Sequence, residues 1–125
     1  MSTTQTNPNQ LEERLISFAA AIVELSVEFP KTIEGRHIRD QILRSGTASA
    51  ANYGEARGAE SRADFIHKLK IVSKELNETR IWLEIAAKSS LFPAEKASSL
   101  ISENHELCRI IGASIRTARR SSNDN

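Results

Sequence analysis

The feature that most restricts this chain is an interval of four and three residues that recurs through successive segments. In the first segment Leu11, Leu15, Phe18, Ile22, Leu25 and Phe29 follow one another at that interval. This is the period of one face of an α-helix. Ile16, Ala20, Val23 and Val27 form a flanking row that would widen the apolar face, as a globular core needs and a two-stranded coiled coil does not. Pro30 stops the segment just after Phe29, because its ring disfavours helical backbone in the residue before it.

The second segment keeps the period through Ile38, Ile42, Ser45, Ser49, Asn52 and Ala56, while its residues shrink and turn polar. Gly46 sits in the middle and costs about 1 kcal/mol against Ala in a helix. Close approach of a neighbouring backbone would explain it; a kink or a gap for a ligand are the other readings. Gly58 fits the left-handed position that follows a helix C-terminus. Ser61 then resembles an N-cap, with Asp64 completing a start of the capping-box kind.

The third seam is Phe65, Leu69, Val72, Leu76, Thr79, Leu83 and Ala86, with a second apolar row at Ile81, Trp82 and Ile85. Pro93 suits the first turn of the last helix. That helix reads Ala97, Leu100, Asn104, Leu107, Ile111, Ser114 and Ala118, flanked by Ile101, Cys108 and Ile115. The spacing predicts helices over about 10–29, 35–57, 62–89 and 93–120, with disordered tails at 1–9 and 121–125. No stretch alternates at period two. Short connections make successive helices antiparallel, so the expected fold is all-α, an up-down-up-down four-helix bundle coiled left-handedly.

At 125 residues the chain is one domain, able to bury a core without cross-links. Cys108 is its one cysteine, so an internal disulfide is impossible and a cytoplasmic setting is favoured. No apolar run approaches the ~20 residues of a membrane helix, and the polar start lacks the marks of a signal peptide.

Charge is segregated along the chain. Residues 36–74 hold eight Lys/Arg against four Asp/Glu, and residues 107–120 hold four Arg and no acid. Residues 1–35 and 75–106 are acidic on balance. Arg36 and Arg39 open the first basic stretch; His67, Lys70 and Lys74 stripe the third helix; Arg109, Arg116 and Arg120 stripe the fourth, and Arg119 beside them is a further candidate contact. Such stripes are either solvated faces paired with acidic neighbours or part of a nucleic-acid footprint, since clustered cations neutralise phosphates whatever the base sequence. No recognition helix, zinc finger or aromatic stacking platform accompanies them, which argues against sequence-specific reading.

Catalytic and metal chemistry finds no foothold. A bundle di-metal site needs paired Glu-x-x-His motifs. Glu34 and His37 have that spacing, but no second copy exists. Cys108 has apolar helical neighbours and reads as a small core residue. Gly54 and Gly58 follow no strand, so they form no phosphate loop. Glu75 and Glu78 read as salt-bridge partners of Arg44 or Arg80. No motif implies a cofactor.

Taken together, Arg44-Ser45, the small residues through Ser49, and Asn52 and Glu55 form one signature. Asp64-Phe65, Lys74-Glu75, Glu78-Thr79 and Trp82-Leu83 form another. Over residues 11–118 the chain resembles the bacterial 23S rRNA intervening-sequence proteins, a four-helix bundle family. A related branch comprises the accessory variability determinants of diversity-generating retroelements. Ala50 departs from the family pattern, which carries Ile there in many members. The resemblance implies a cytoplasmic bundle assembling as a ring, a homopentamer, and makes RNA or DNA and a reverse transcriptase candidate partners. The function expected is that of a non-enzymatic homo-oligomer with weak, sequence-independent nucleic-acid binding. The alternative is an oligomeric protein scaffold. Asn52 and Glu55 are expected to make a hydrogen-bonded contact between helices or subunits, because an unpaired buried amide costs about 1–3 kcal/mol.

Overall fold

The structure, a computed structural model, describes residues 7–123, and side chains as far as Ser121. Its elements are α1 (Pro8–Ser26), α2 (Ile33–Arg57), α3 (Arg62–Lys88) and α4 (Ala94–Asn123), with no strand among the described residues. Each helix touches its sequence neighbours and α4 closes back on α1, whereas the diagonal pairs α1/α3 and α2/α4 stay apart. Arg57 bonds Glu12 and Gly46 abuts Ile22, so α1 and α2 run antiparallel. Lys68 to Glu55 with Arg44 to Glu75 shows the same for α2 and α3. The result is the up-down four-helix bundle that the spacing predicts.

Local chemistry sets the helix ends. Asn7 accepts from the Gln10 N–H at 2.8 Å while Gln10 Oε1 accepts from the Asn7 N–H at 3.2 Å, a reciprocal cap that starts α1 at Pro8. Asn7 to Asn9, expected from the spacing to belong to a tail, are cap and first turn. Residues 1–6 and 124–125 of the expected tails lie outside the described residues. Helix α1 ends at Ser26 rather than at Phe29, and α4 continues to Asn123, past Arg120. The Pro93 carbonyl accepts from Ala97 just ahead of α4, which puts Pro93 before the helix rather than in its first turn.

Two turns correct the sequence reading further. Gly58 has φ −99° and is not left-handed. The left-handed residue is Ser90, at φ 60°. There the Leu91 N–H reaches back to the Ala86 carbonyl and the Ser90 N–H to that of Ala87, the Schellman pattern that closes α3. Gly35 carries a demand that the periodicity did not show. A Cβ there would lie 2.1 Å from the Pro30 carbonyl oxygen, so the α1–α2 turn can fold against the start of α2 only if this residue is glycine.

The seams of α1, α3 and α4 build the core: Leu15, Ile22, Leu69, Leu76, Leu83, Leu107 and Ile111 are fully buried. Helix α2 contributes Ile38 and Ile42 and then small residues, Ser45, Ser49 and Ala56. Gly46 is explained by packing, because a Cβ would sit 2.9 Å from both Cγ1 and Cγ2 of Ile22. Asn52 does not lie on the buried seam; it is half-buried, and Tyr53 takes the core position. The flanking row of α1 faces outward, whereas Trp82, Ile101 and Cys108 pack partly buried against the core and Ile115 is buried. Ile16 and Val23 are about half exposed and Val27 almost wholly, as are Ile81 and Ile85 in part. A helix in a four-helix bundle has two neighbours, and a second apolar row on its far side finds neither.

Candidate nucleic-acid interface and assembly surfaces

The polar signature residues are brought together along the α2–α3 boundary. Arg44, from α2, reaches Glu75 at 3.4 Å and also bonds Glu78 on α3. Trp82, one turn further along α3, donates its indole N–H to Glu78 at 3.0 Å. That hydrogen bond, followed by the Arg44 charge, holds the Glu78 carboxyl below the usual carboxylate range. His37 packs edge-on against Trp82 at 5.7 Å, and Lys68 bonds Glu55 at 2.9 Å. Of the two arginines expected to serve Glu75 and Glu78, Arg44 does so, while Arg80 turns to Glu84 and Asn77.

The buried hydroxyls are satisfied inside the chain. Ser45 Oγ donates to the Gln41 carbonyl at 2.8 Å, and Ser49 Oγ lies 3.5 Å from that of Gly46. Among the described residues no buried side-chain N or O lacks a partner. The polar seam of α2 therefore needs no second subunit to complete its hydrogen bonds. Asn52 Nδ2 donates to Ala48 in its own helix, so the bridge expected of it between helices does not form. That part falls to Asn104 on α4, fully buried, whose Nδ2 donates to the Leu76 carbonyl at 2.8 Å. Only its position on the α4 seam marked it in the sequence. Cys108 lies half-buried beside it, and burial pushes its thiol pKa up.

The basic residues fall into two groups. Helices α3 and α4 are antiparallel with Leu76 beside Asn104. The cations at 62–74 and 109–120 consequently share one half of the bundle, from Lys74 and Arg109 near its middle to Arg62, Arg119 and Arg120 at its end. There Lys70, Lys74, Arg116, Arg119 and Arg120 are exposed and make no ion pair among the described residues, and His67 lies beside them. Arg109 is bonded to Glu106, which holds that carboxyl low. A cleft of about 600 Å³ opens at this end where α1 begins, with Arg62 and Arg109 beside Phe65, Ile110 and Thr117. Arg36 and Arg39, at the start of α2, lie at the opposite end, and Arg39 is bonded to Asp40.

No helix of the described residues is long and apolar enough to cross a membrane. Among curated proteins none matches the chain. A crystal structure of a protein of unknown function from the S23 ribosomal protein family of Bacteroides thetaiotaomicron is similar to it, with 36% identity and a TM-score of 0.80. The likeness covers 87% of this chain and 97% of that one. The profile of the 23S rRNA-intervening sequence proteins matches residues 9–113, nearly the whole bundle. The chain belongs to the 23S rRNA-intervening sequence protein family.

Proposed function

We propose that this protein is a non-enzymatic, cytoplasmic homo-oligomer, a ring of identical bundles, that binds RNA or DNA weakly and without regard to sequence. The observation that carries the nucleic-acid part is the set of exposed cations in one half of the bundle that make no ion pair among the described residues: Lys70 and Lys74 from α3, and Arg116, Arg119 and Arg120 from α4. Surface cations with no acidic partner are the groups that exchange counterions for phosphates. Repetition round a ring multiplies a weak contact, as linked sites do. The oligomeric part is supported by the exposed aliphatic rows on α1 and α3, which a monomer has no reason to keep together. Those same rows favour the second reading, a protein-binding scaffold to which nucleic acid is irrelevant.

Filter binding to an unstructured RNA across a salt series decides between them. Affinity should fall steeply and log-linearly with salt, and Arg116→Ala with Arg120→Ala should flatten the slope by about 2 per chain engaged. Absence of binding at low salt overturns the nucleic-acid reading and leaves the scaffold.

A further inference from the structure

The cleft where α1 begins joins three kinds of surface. Its floor is apolar, made by Phe65, half-buried near the start of α3, and by Ile110, buried on α4. One margin is the first turn of α1, Asn7 and Gln10. Their reciprocal cap engages Asn7 Oδ1 and Gln10 Oε1 with backbone N–H groups, which leaves both side-chain NH2 groups as donors at the rim. Ser114 and Thr117 put hydroxyls on the α4 wall. Arg62, at the start of α3, adds a charge that makes no ion pair among the described residues. Helix α1 has 19 residues against 30 for α4 and starts beside this stretch. Ala113, Ser114 and Thr117 stay accessible where a longer helix would cover them.

Cations that suit phosphates stand next to the cleft. Arg109, Arg116 and Arg120 recur at the spacing of one side of a helix. Arg116 Nη1 lies 3.5 Å from where a Cβ on Gly112 would be, so its guanidinium reaches back along α4 to the level of Ala113 on the cleft wall. Arg109 is engaged by Glu106, which leaves Arg62, Arg116 and Arg120 as the open charges.

The volume of about 600 Å³ falls within the range of small-ligand sites, about 300–1,000 Å³. The occupant that suits this lining has flat apolar faces for Phe65 and Ile110, acceptors round its edge for the amide and hydroxyl donors, and a negative charge for Arg62. A nucleobase on its sugar-phosphate has all three. An acyl chain lacks the polar edge, and inorganic phosphate lacks the apolar faces.

We infer that the cleft seats one unstacked base of a single strand against Phe65 and Ile110, while the phosphates beside that base run past Arg62, Arg116 and Arg120. The inference rests on the nucleic-acid reading above and adds a base-contacting site to it. The strand must be single, because a duplex keeps its bases stacked inside. The cleft meets what every base carries, a π-face and edge acceptors, so it adds affinity without selecting a sequence.

The test compares two labelled strands of about ten nucleotides, within the footprint of single-strand sites. One is oligothymidine; the other has the same sugar-phosphate chain with every base removed. Both carry the same phosphates, so their salt slopes should agree. At any one salt concentration the abasic strand should bind on the order of tenfold more weakly to the full wild-type chain. Ala113→Leu puts a larger side chain into the cleft from a half-buried helical position, and circular dichroism checks that it folds. It should bring oligothymidine down to the affinity of the abasic strand. Equal binding of the two strands by the wild-type chain overturns the inference and leaves the electrostatic reading standing. A preference for bases that Ala113→Leu leaves intact puts the base elsewhere and overturns it too. Failure of both strands to bind at low salt removes both readings.

Discussion

The core accepts polar side chains on α2 and on α4, and it satisfies them by opposite means. Ser45 and Ser49 turn their hydroxyls onto carbonyls of their own helix, Gln41 and Gly46. Asn104 has an amide with more donors and acceptors than one turn of helix can serve. Its Nδ2 crosses to Leu76 on α3, and its Oδ1 accepts from Cys108 Sγ at 3.5 Å. A hydroxyl bonded to its own backbone adds little to tertiary structure. A buried amide that crosses between helices ties their axial register to a hydrogen bond. What matters is therefore where the bond goes, more than how many polar atoms a seam contains.

The sharpest way to break this comparison is Asn104→Ala. It removes the crossing bond and leaves space in a fully buried position, so urea unfolding should report a loss of about 2–3 kcal/mol. A loss under about 0.5 kcal/mol would place Asn104 with the serines and end the distinction. Gly46→Ala comes next. The new Cβ meets two carbons of Ile22 at 2.9 Å, while Ala regains about 1 kcal/mol of helix propensity. The strain prevails by about 1–2 kcal/mol. Pairing it with Ile22→Ala, which removes the clashing carbons, should show favourable coupling in a double-mutant cycle.

These positions also mark how far the sequence could be read. Helix number, order and core seams followed from spacing, because burial of one face imposes the helical period directly. The Arg44–Glu75–Glu78–Trp82 cluster was legible as a motif, since Glu75, Glu78 and Trp82 share one side of α3. The flanking row of α1 was misread because a period does not say how wide the covered face is. Ile16 and Val23 belong to the same broad apolar face as Leu15 and Ile22, and only the positions of the neighbouring helices decide that one pair is buried and the other exposed. Ser90 escaped notice because its left-handed backbone is imposed by the Schellman closure of α3 and not by the residue type. The basic stripes were legible one by one, but their falling in the same half of the bundle, and the separation of Arg36 and Arg39 from them, depends on which helix lies beside which.

Asn52 gives the smallest effect, and it joins the comparison of polar residues to the question of assembly. From sequence its amide was expected to bridge helices or subunits, as Asn104 in fact bridges α3 and α4. In the fold it is half-buried and returns its Nδ2 to Ala48 at 2.8 Å, the same local solution as Ser45. Asn52→Leu should accordingly change unfolding by no more than about 0.5 kcal/mol, the range of surface substitutions away from special features. On the proposed oligomeric reading it should also leave the assembled mass unchanged, because the exposed aliphatic residues that support that reading are on α1 and α3. The two readouts separate two errors. A large loss of stability at constant mass would mean that its local bond supports the α2 core more than the serines do. A fall in mass at constant stability would place a subunit contact on the polar edge of α2.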